Sequence, residues 1–324
     1  MSTLRWATVT ATLVGGLYWG ASSWFSREPE VFDITVATTA GDPAPQVIGV
    51  TTTNTLIQII STLLDKSGGL LSNDVTPPFV GLDNMPAWEL GVLEMSRDLV
   101  LAMRSDFSRS QSQSIENKFL QQVSPHLNMD HRRWAMPAAE DEYKKAALLL
   151  SQYRDALKDP QDQQNQFYAR ADNLRDWLVL VEKRLGSYSQ RLSASVGQER
   201  LNTDLAGDRQ ARQSTAAAHD FVVKTDWWHI DDEFYEARGA TWALLHMLKA
   251  VEHDFADVLK QKNALVSLQQ IIRELEATQQ SVWTPIILNG SGFGIVANHS
   301  LVMANYISRA NAALIDLNEL LAKG

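Results

Sequence analysis

Apolar residues recur along this chain at intervals that fit helices rather than strands. Leu174, Leu178, Val181, Leu185, Tyr188, Leu192 and Val196 are spaced three or four apart, one stripe on a long helix. Ile230, Phe234, Ala237, Thr241, Leu244, Leu248, Val251, Phe255 and Val258 repeat in the same way over nearly four heptads. Met303, Ile307, Ala310, Leu314, Leu317 and Leu321 do so near the C-terminus. Periods near 3.5 keep one seam toward a partner helix. Trp177, Leu245 and Leu259 widen the stripes, which favours an intramolecular bundle over a two-stranded coil.

Shorter helices are expected over Thr51–Asp65, stopped by Lys66-Ser67-Gly68-Gly69, and over Ala87 to about Arg109. Two more follow, from about Ala138 to Lys158, closed by Asp159-Pro160, and from Ala264 to about Val282. Asn73–Pro86 and Ser124–Pro137 read as irregular, and Ser108–Ser114 as a polar frayed end or loop. Val31–Val36 alternates and suits a short strand or an extended segment, but no convincing set of strands emerges. The expected fold class is all-α: an N-terminal transmembrane helix followed by a multi-helix bundle with long antiparallel helices.

The transmembrane reading rests on Trp6–Phe25, which carries no charged residue and lies between Arg5 and Arg27. Trp6 to Trp24 spans roughly 27 Å as a helix, close to the hydrocarbon thickness of a bilayer. Trp6 stands at one end and Tyr18, Trp19, Trp24 and Phe25 at the other, where amphipathic rings favour the two interfaces. The expected layout is an anchor over 1–25, an extended connector over 26–50 and a helical domain over 51–324. Arg5 favours a cytoplasmic N-terminus, a single pass through a bacterial inner membrane by residues 6–25, and a periplasmic main domain. The competing reading is a cleaved signal peptide, with Ala21-Ser22-Ser23 as the small-residue cleavage site. Either reading exports the domain.

Composition narrows the chemistry. The net charge of −9 argues against nucleic acid as a partner, which requires a basic surface. No cysteine is present, so disulfides, thiolate catalysis and Cys-based metal sites are all excluded. Ten tryptophans, seven of them outside the anchor, predict a core with a large aromatic share.

Candidate sites are sparse. His246 and His253 are seven apart on one helix, about 10 Å, too far for one ion. Asn289-Gly290-Ser291-Gly292-Phe293-Gly294 is glycine-rich but lacks the Gly-Lys-Ser/Thr ending of a phosphate-binding loop, and reads as a turn. The densest mixture of aromatic, acidic and basic groups runs from Asp226 to Arg238. As a helix start, Asp231 or Asp226 would cap it, and Trp227 or Trp228 would staple its entry to the core. As a recognition patch it comprises Trp227, Trp228, His229, Asp231, Asp232, Glu233, Glu236 and Arg238, with Asn298 and His299 added from the last helix start. No catalytic residue, metal ligand or cofactor is expected.

Four phrases carry a family resemblance: Asp83-Asn84-Met85-Pro86-Ala87-Trp88-Glu89, Phe167-Tyr168-Ala169-Arg170-Ala171-Asp172-Asn173-Leu174-Arg175, Asp231-Asp232-Glu233-Phe234-Tyr235-Glu236-Ala237-Arg238-Gly239, and Ala297-Asn298-His299-Ser300-Leu301-Val302-Met303-Ala304-Asn305-Tyr306. From about Val31 onward the chain resembles the proteobacterial family known as domain of unknown function 2333. The resemblance implies a Gram-negative source and a membrane-tethered protein, and it assigns no activity or site residue. The leading expectation is a non-enzymatic binding, scaffold or adaptor module with an envelope protein as partner. Alternatives are an envelope hydrolase acting on cell-wall glycan or peptide, and a ligand-sensing domain working through a separate membrane partner. The hydrolase predicts that groups such as Glu233, Glu236, His229 and His299 converge in one deep cleft.

Overall fold

Helices form where the stripes lie. The computed structural model describes residues 2–34, 47–109, 116–159, 161, 165–201, 220–284 and 286–323. In chain order the helices are α1 (Ser2–Phe25), α2 (Val50–Asp65), α3 (Asn84–Ala102), α4 (Lys118–Leu127), α5 (Ala139–Leu157) and α6 (Ala171–Ser193). They continue as α7 (Ile230–Asp254), α8 (Ala256–Gln261), α9 (Leu265–Thr278) and α10 (His299–Ala322).

Local chemistry explains where the helices depart from expectation. Helix α3 starts three residues early because Asp83 accepts from the Asn84 N–H at 3.0 Å. Pro86 is tolerated there, since the first-turn N–H groups have no helical partner to lose. Helix α4 runs into a region expected to be irregular: the Asn117 side chain accepts from the N–H groups of Phe119 and Leu120, and Pro125 falls near its end. The heptad run expected to reach Val258 breaks at Phe255. Its buried ring lies 5.4 Å from that of Phe107 and 5.8 Å from that of Phe167.

The all-α class holds with one departure. Strands β1 (Gln198–Leu201) and β2 (Asp220–Val223) pair antiparallel, with Gln198 opposite Val223 and Leu201 opposite Asp220. Val31–Ile34 forms no strand, and the rest of that expected segment, with much of the 26–50 connector and 108–114 stretch, lies outside the described residues. Of the seven tryptophans beyond α1, Trp88, Trp177 and Trp242 are fully buried, whereas Trp134, Trp227, Trp228 and Trp283 are exposed. The expected aromatic share of the core is present all the same, for Trp88, Trp177, Trp242, Tyr143, Tyr153, Tyr188, Phe107 and Phe255 are the largest fully buried side chains.

Helix α1 forms as a helix, but the structure does not support the transmembrane assignment: among the described residues no helix is long and apolar enough to cross a membrane. Thr8, Thr10, Thr12, Ser22, Ser23 and three glycines dilute the apolar run. The C-terminal end of α1 docks on the chain at 78–79. Tyr18 Oη donates to the Pro78 carbonyl at 3.3 Å, and Phe25 meets Phe79 edge to face at 4.8 Å.

Residue pairs give the helix directions. Glu94 and Asp98 of α3 meet Tyr188 and Arg184 of α6, and Glu182 and Ser189 of α6 meet Asn318 and Ser308 of α10. One index rises as the other falls, so both pairs are antiparallel. The tightest contact is α3 on α7. A Cβ on Gly91 would overlap the Glu236 carbonyl oxygen and sit 2.7 Å from the Ala240 nitrogen. A Cβ on Gly239 would overlap the Trp88 carbonyl oxygen. Backbone atoms cannot rotate away as a side chain can, so the helices would have to separate. Gly91→Ala and Gly239→Ala should each cost about 1–3 kcal/mol, despite the better helix propensity of alanine. Urea unfolding checks this, and an unchanged or raised midpoint would refute the close crossing.

Candidate functional site

The 226–238 segment begins as a single 3-10 turn, Trp227–His229, before α7. Trp227 and Trp228 stack edge to face on each other at 4.8 Å and are 66% and 76% exposed, so neither staples the helix. Buried Ile230 and Phe234 hold the entry instead. Neither Asp226 nor Asp231 caps it; His229 occupies the N-cap without a side-chain bond. Asp231, Asp232 and Glu233 fill the first turn, where carboxylates complement the helix dipole. His229 lies 3.1 Å from Asp232, and that hydrogen bond raises its pKa.

Glu233 and Glu236 turn toward α6. Arg191 forks onto Glu236 with bonds of 2.6 and 3.0 Å and touches Glu233 at 2.6 Å. Burial raises the Glu233 pKa, and Arg191 opposes it. The strip continues through Tyr188, which donates to Glu94 at 2.7 Å, and Arg184, which forks onto Asp98. These charges are consumed in joining α3, α6 and α7.

Arg238 points elsewhere, because two residues after Glu236 is 200° around a helix. Its Nε donates to Glu28 at 2.6 Å, and its two Nη groups donate to the carbonyls of Thr278, Gln280 and Gln279. It thus closes the C-terminus of α9 and ties down the chain just after α1. Asn298 caps α10 by accepting from the Leu301 N–H at 2.8 Å. His299 Nδ1 accepts from the Leu288 N–H at 3.1 Å, which leaves the ring proton on Nε2. Burial lowers its pKa. The ring lines a cavity of about 250 Å³ with Phe234, Trp283, Val302 and Tyr306, and Arg238 at its edge. The guanidinium there is already engaged by one carboxylate and three carbonyls.

The patch read from the sequence therefore divides three ways, into an exposed Trp-Trp-His turn, an interhelical ion-pair strip, and a cavity wall. Glu233, Glu236, His229 and His299 do not converge in one cleft. His246 and His253 do not converge either, and no group of three metal-ligating side chains occurs among the described residues. His253 is half exposed beside Thr51, while His246 is buried. His246 Nδ1 lies 2.7 Å from the Trp242 carbonyl and Nε2 accepts from the Phe32 N–H at 3.1 Å. The Phe32 ring stacks on the imidazole at 3.8 Å.

Buried acids escape the sequence pattern, Glu89 and Asp254 among them. Glu89 accepts from the N–H groups of Leu71 and Ser72 and pairs with buried Lys66, which fixes the turn after α2. Asp254 accepts from both the N–H and the hydroxyl of Thr52 at 2.7 Å, capping the first turn of α2 from another helix. Glu89 had a signal: a carboxylate between Trp88 and Val92 in an apolar stripe. Asp254 had none, because its partner is 202 residues away.

Fold and site together define an all-α bundle in which Arg184, Arg191 and Arg309 bind its helices to one another. Residues 2–324 match the family described as "uncharacterized protein conserved in bacteria", domain of unknown function 2333, and the chain belongs to that family. No curated protein and no solved structure matches it.

The geometry of His246 sets a pH dependence. Burial, with a smaller contribution from Lys249, pushes its pKa down from 6.5 to about 4. Between those values the unfolded chain takes up a proton that the folded imidazole refuses. The contribution is therefore fully present above pH 6.5 and is lost as pH falls toward 4. At 1.36 kcal/mol per pH unit it amounts to roughly 3 kcal/mol. Chemical denaturation at several pH values should show a shallower loss between pH 6.5 and 4 for His246→Gln than for the parent. Parallel slopes would mean that His246 titrates normally in the fold.

Proposed function

We propose that this protein is a non-enzymatic helical scaffold of the bacterial cell envelope, tethered to the inner membrane by α1. The observation that carries this reading is the surface of α1. Its Trp6, Val9, Leu13, Val14 and Leu17 are 50–74% exposed, although the run Trp6–Phe25 carries no charge. Contiguous exposed apolar surface marks a membrane or protein contact. Trp6 and Trp24 near the two ends suit the two interfaces, and Arg27 stacks 4.5 Å over Trp24 just outside the run. Arg5 on the short side favours a cytoplasmic N-terminus with the bundle in the periplasm.

The adaptor role is supported by what the polar groups do. Arg184, Arg191, Arg238 and Lys66 each hold carboxylates of neighbouring elements, a use suited to a rigid frame presenting surfaces to a partner. The expected partner is another envelope protein.

Membranes from bacteria expressing the full chain should retain it through an alkaline carbonate wash, at the intact mass of the whole sequence. Complete release by the wash would defeat the tether, and a mature mass lacking the first 21–25 residues would make α1 a signal peptide. In-cell cross-linking at native expression should give discrete adducts. Monomer alone would defeat the adaptor reading.

A further inference from the structure

The segment between α9 and α10 is built in a way that folding of this chain does not explain. From Ala277 to Ser308 the sequence contains no Asp, Glu, Lys or Arg. Within it Trp283 is 95% exposed, Phe293 and Ile295 have no burial at all, and Ile286 and Val296 are more than half exposed. Burying such a side chain stabilises by roughly 1.5–3 kcal/mol, so leaving several in water forgoes a large gain.

The tip does not owe this exposure to a loose neck. The Gly290 N–H donates to the Ala297 carbonyl at 3.0 Å and the His299 N–H to the Leu288 carbonyl at 2.9 Å. Asn298 Nδ2 donates to Asn289 Oδ1 at 2.8 Å and to the Gly290 carbonyl at 2.6 Å. A Cβ on Gly290 would overlap the Val296 carbonyl oxygen, so the neck closes only around glycine. Residues 291–297, between these bonds, are all exposed.

The loop lies at the end of the bundle where α1 departs. Arg238 bonds both to Glu28, three residues past α1, and to the carbonyl of Gln280, three residues before Trp283. Three residues of chain on each side, plus the joined side chains, place Trp283 within roughly 30 Å of the end of α1. Beside the end of α1, where Tyr18 and Phe25 pack on Pro78 and Phe79, Val75 and Val80 are also exposed.

We propose that Trp283 and the 286–296 loop insert into the interfacial layer of the bilayer that holds α1, so that the bundle sits on the membrane at two points. This rests on the tether proposed above. Lipid is favoured over a protein because the exposed rings and aliphatic groups of the loop, like the run Trp6–Phe25, carry no charge. Trp and Phe beside small residues suit the headgroup–acyl boundary, and the loop offers no charged rim for a protein partner. Lacking basic residues, the contact would require no anionic lipid.

The chain has no cysteine, so single introduced thiols can be labelled without background. Full-length Leu13→Cys, Phe293→Cys and Val266→Cys, each carrying an NBD dye, would be reconstituted into phosphatidylcholine vesicles containing lipids brominated high or, in a second set, deep on the acyl chain. Val266 is 75% exposed at the far end of α9, 12 residues or roughly 18 Å from Thr278. The Phe293 label should lose about half its emission to the high bromines, as expected for a probe in the boundary layer; the Leu13 label, near the middle of the span, should be quenched most by lipids brominated deep on the chain, and the Val266 label by neither. Quenching at Leu13 with water-like emission at Phe293 would overturn the loop insertion and leave the tether standing. A blue-shifted but unquenched Phe293 label would assign the loop to protein contact and overturn the proposal. Equal quenching at Phe293 and Val266 would also overturn it. Quenching at Phe293 without quenching at Leu13 would keep the loop in lipid and remove the tether instead.

Discussion

The crossing of α3 and α7 at Gly91 and Gly239 is the constraint on which the other contacts depend. Absence of both Cβ atoms lets the backbones meet, since a methyl on either glycine would enter a carbonyl oxygen of the other helix. That approach brings the Trp88 and Trp242 rings to 5.1 Å and sets Glu94 and Glu236 where α6 can bond to both helices. Helix α6 then carries α10 on another face. Separating α3 from α7 by even an ångström would lengthen charge-assisted bonds that are now 2.6–2.7 Å.

Helix α7 also fastens the N-terminal part of the chain. Arg238 holds Glu28, His246 holds the Phe32 N–H, and Asp254 holds Thr52. Both series rise together, so Glu28, Phe32 and Thr52 are fastened at points running parallel to α7 over 16 residues of helix, roughly 24 Å. Arg238, His246 and Asp254 are all buried, and Thr52 is buried with them. Burial explains why these contacts matter more than the exposed pairs: removing one partner strands a polar group in a place where water does not replace it.

This division explains how much the sequence disclosed. Stripes of apolar residues depend only on neighbours within a few turns, so α6, α7 and α10 were legible along most of their length. Helix α4 was hidden because Pro125 reads as a breaker while its cap, Asn117, is ordinary. The candidate patch failed as a unit for a geometrical reason. Neighbours in sequence are 100° apart on a helix, so Glu236 and Arg238 serve opposite sides of α7. Their partners, Arg191 and Glu28, lie 45 and 210 residues away, and no local pattern announces such distances. The glycines of Asn289–Gly294 predict a turn, but the presentation of Phe293 and Ile295 depends on bonds across the neck.

Helix α1 joins two facts that pull in different directions. Its threonines, serines and glycines leave it short of the apolarity needed to span a bilayer, yet its large apolar side chains stand in the open. Tryptophan and tyrosine weigh against it on a hydropathy scale although they favour the interfaces, and Thr and Ser hydroxyls in a helix can bond back to carbonyls one turn earlier. Even so, such a helix would hold less firmly than a leucine-rich one. A second contact through Trp283, Phe293 and Ile295 would offset that weakness, because two linked contacts dissociate only when both release together. The Arg238 junction would then be central: by bonding Glu28 and the end of α9 at once, it couples the base of α1 to the base of the loop.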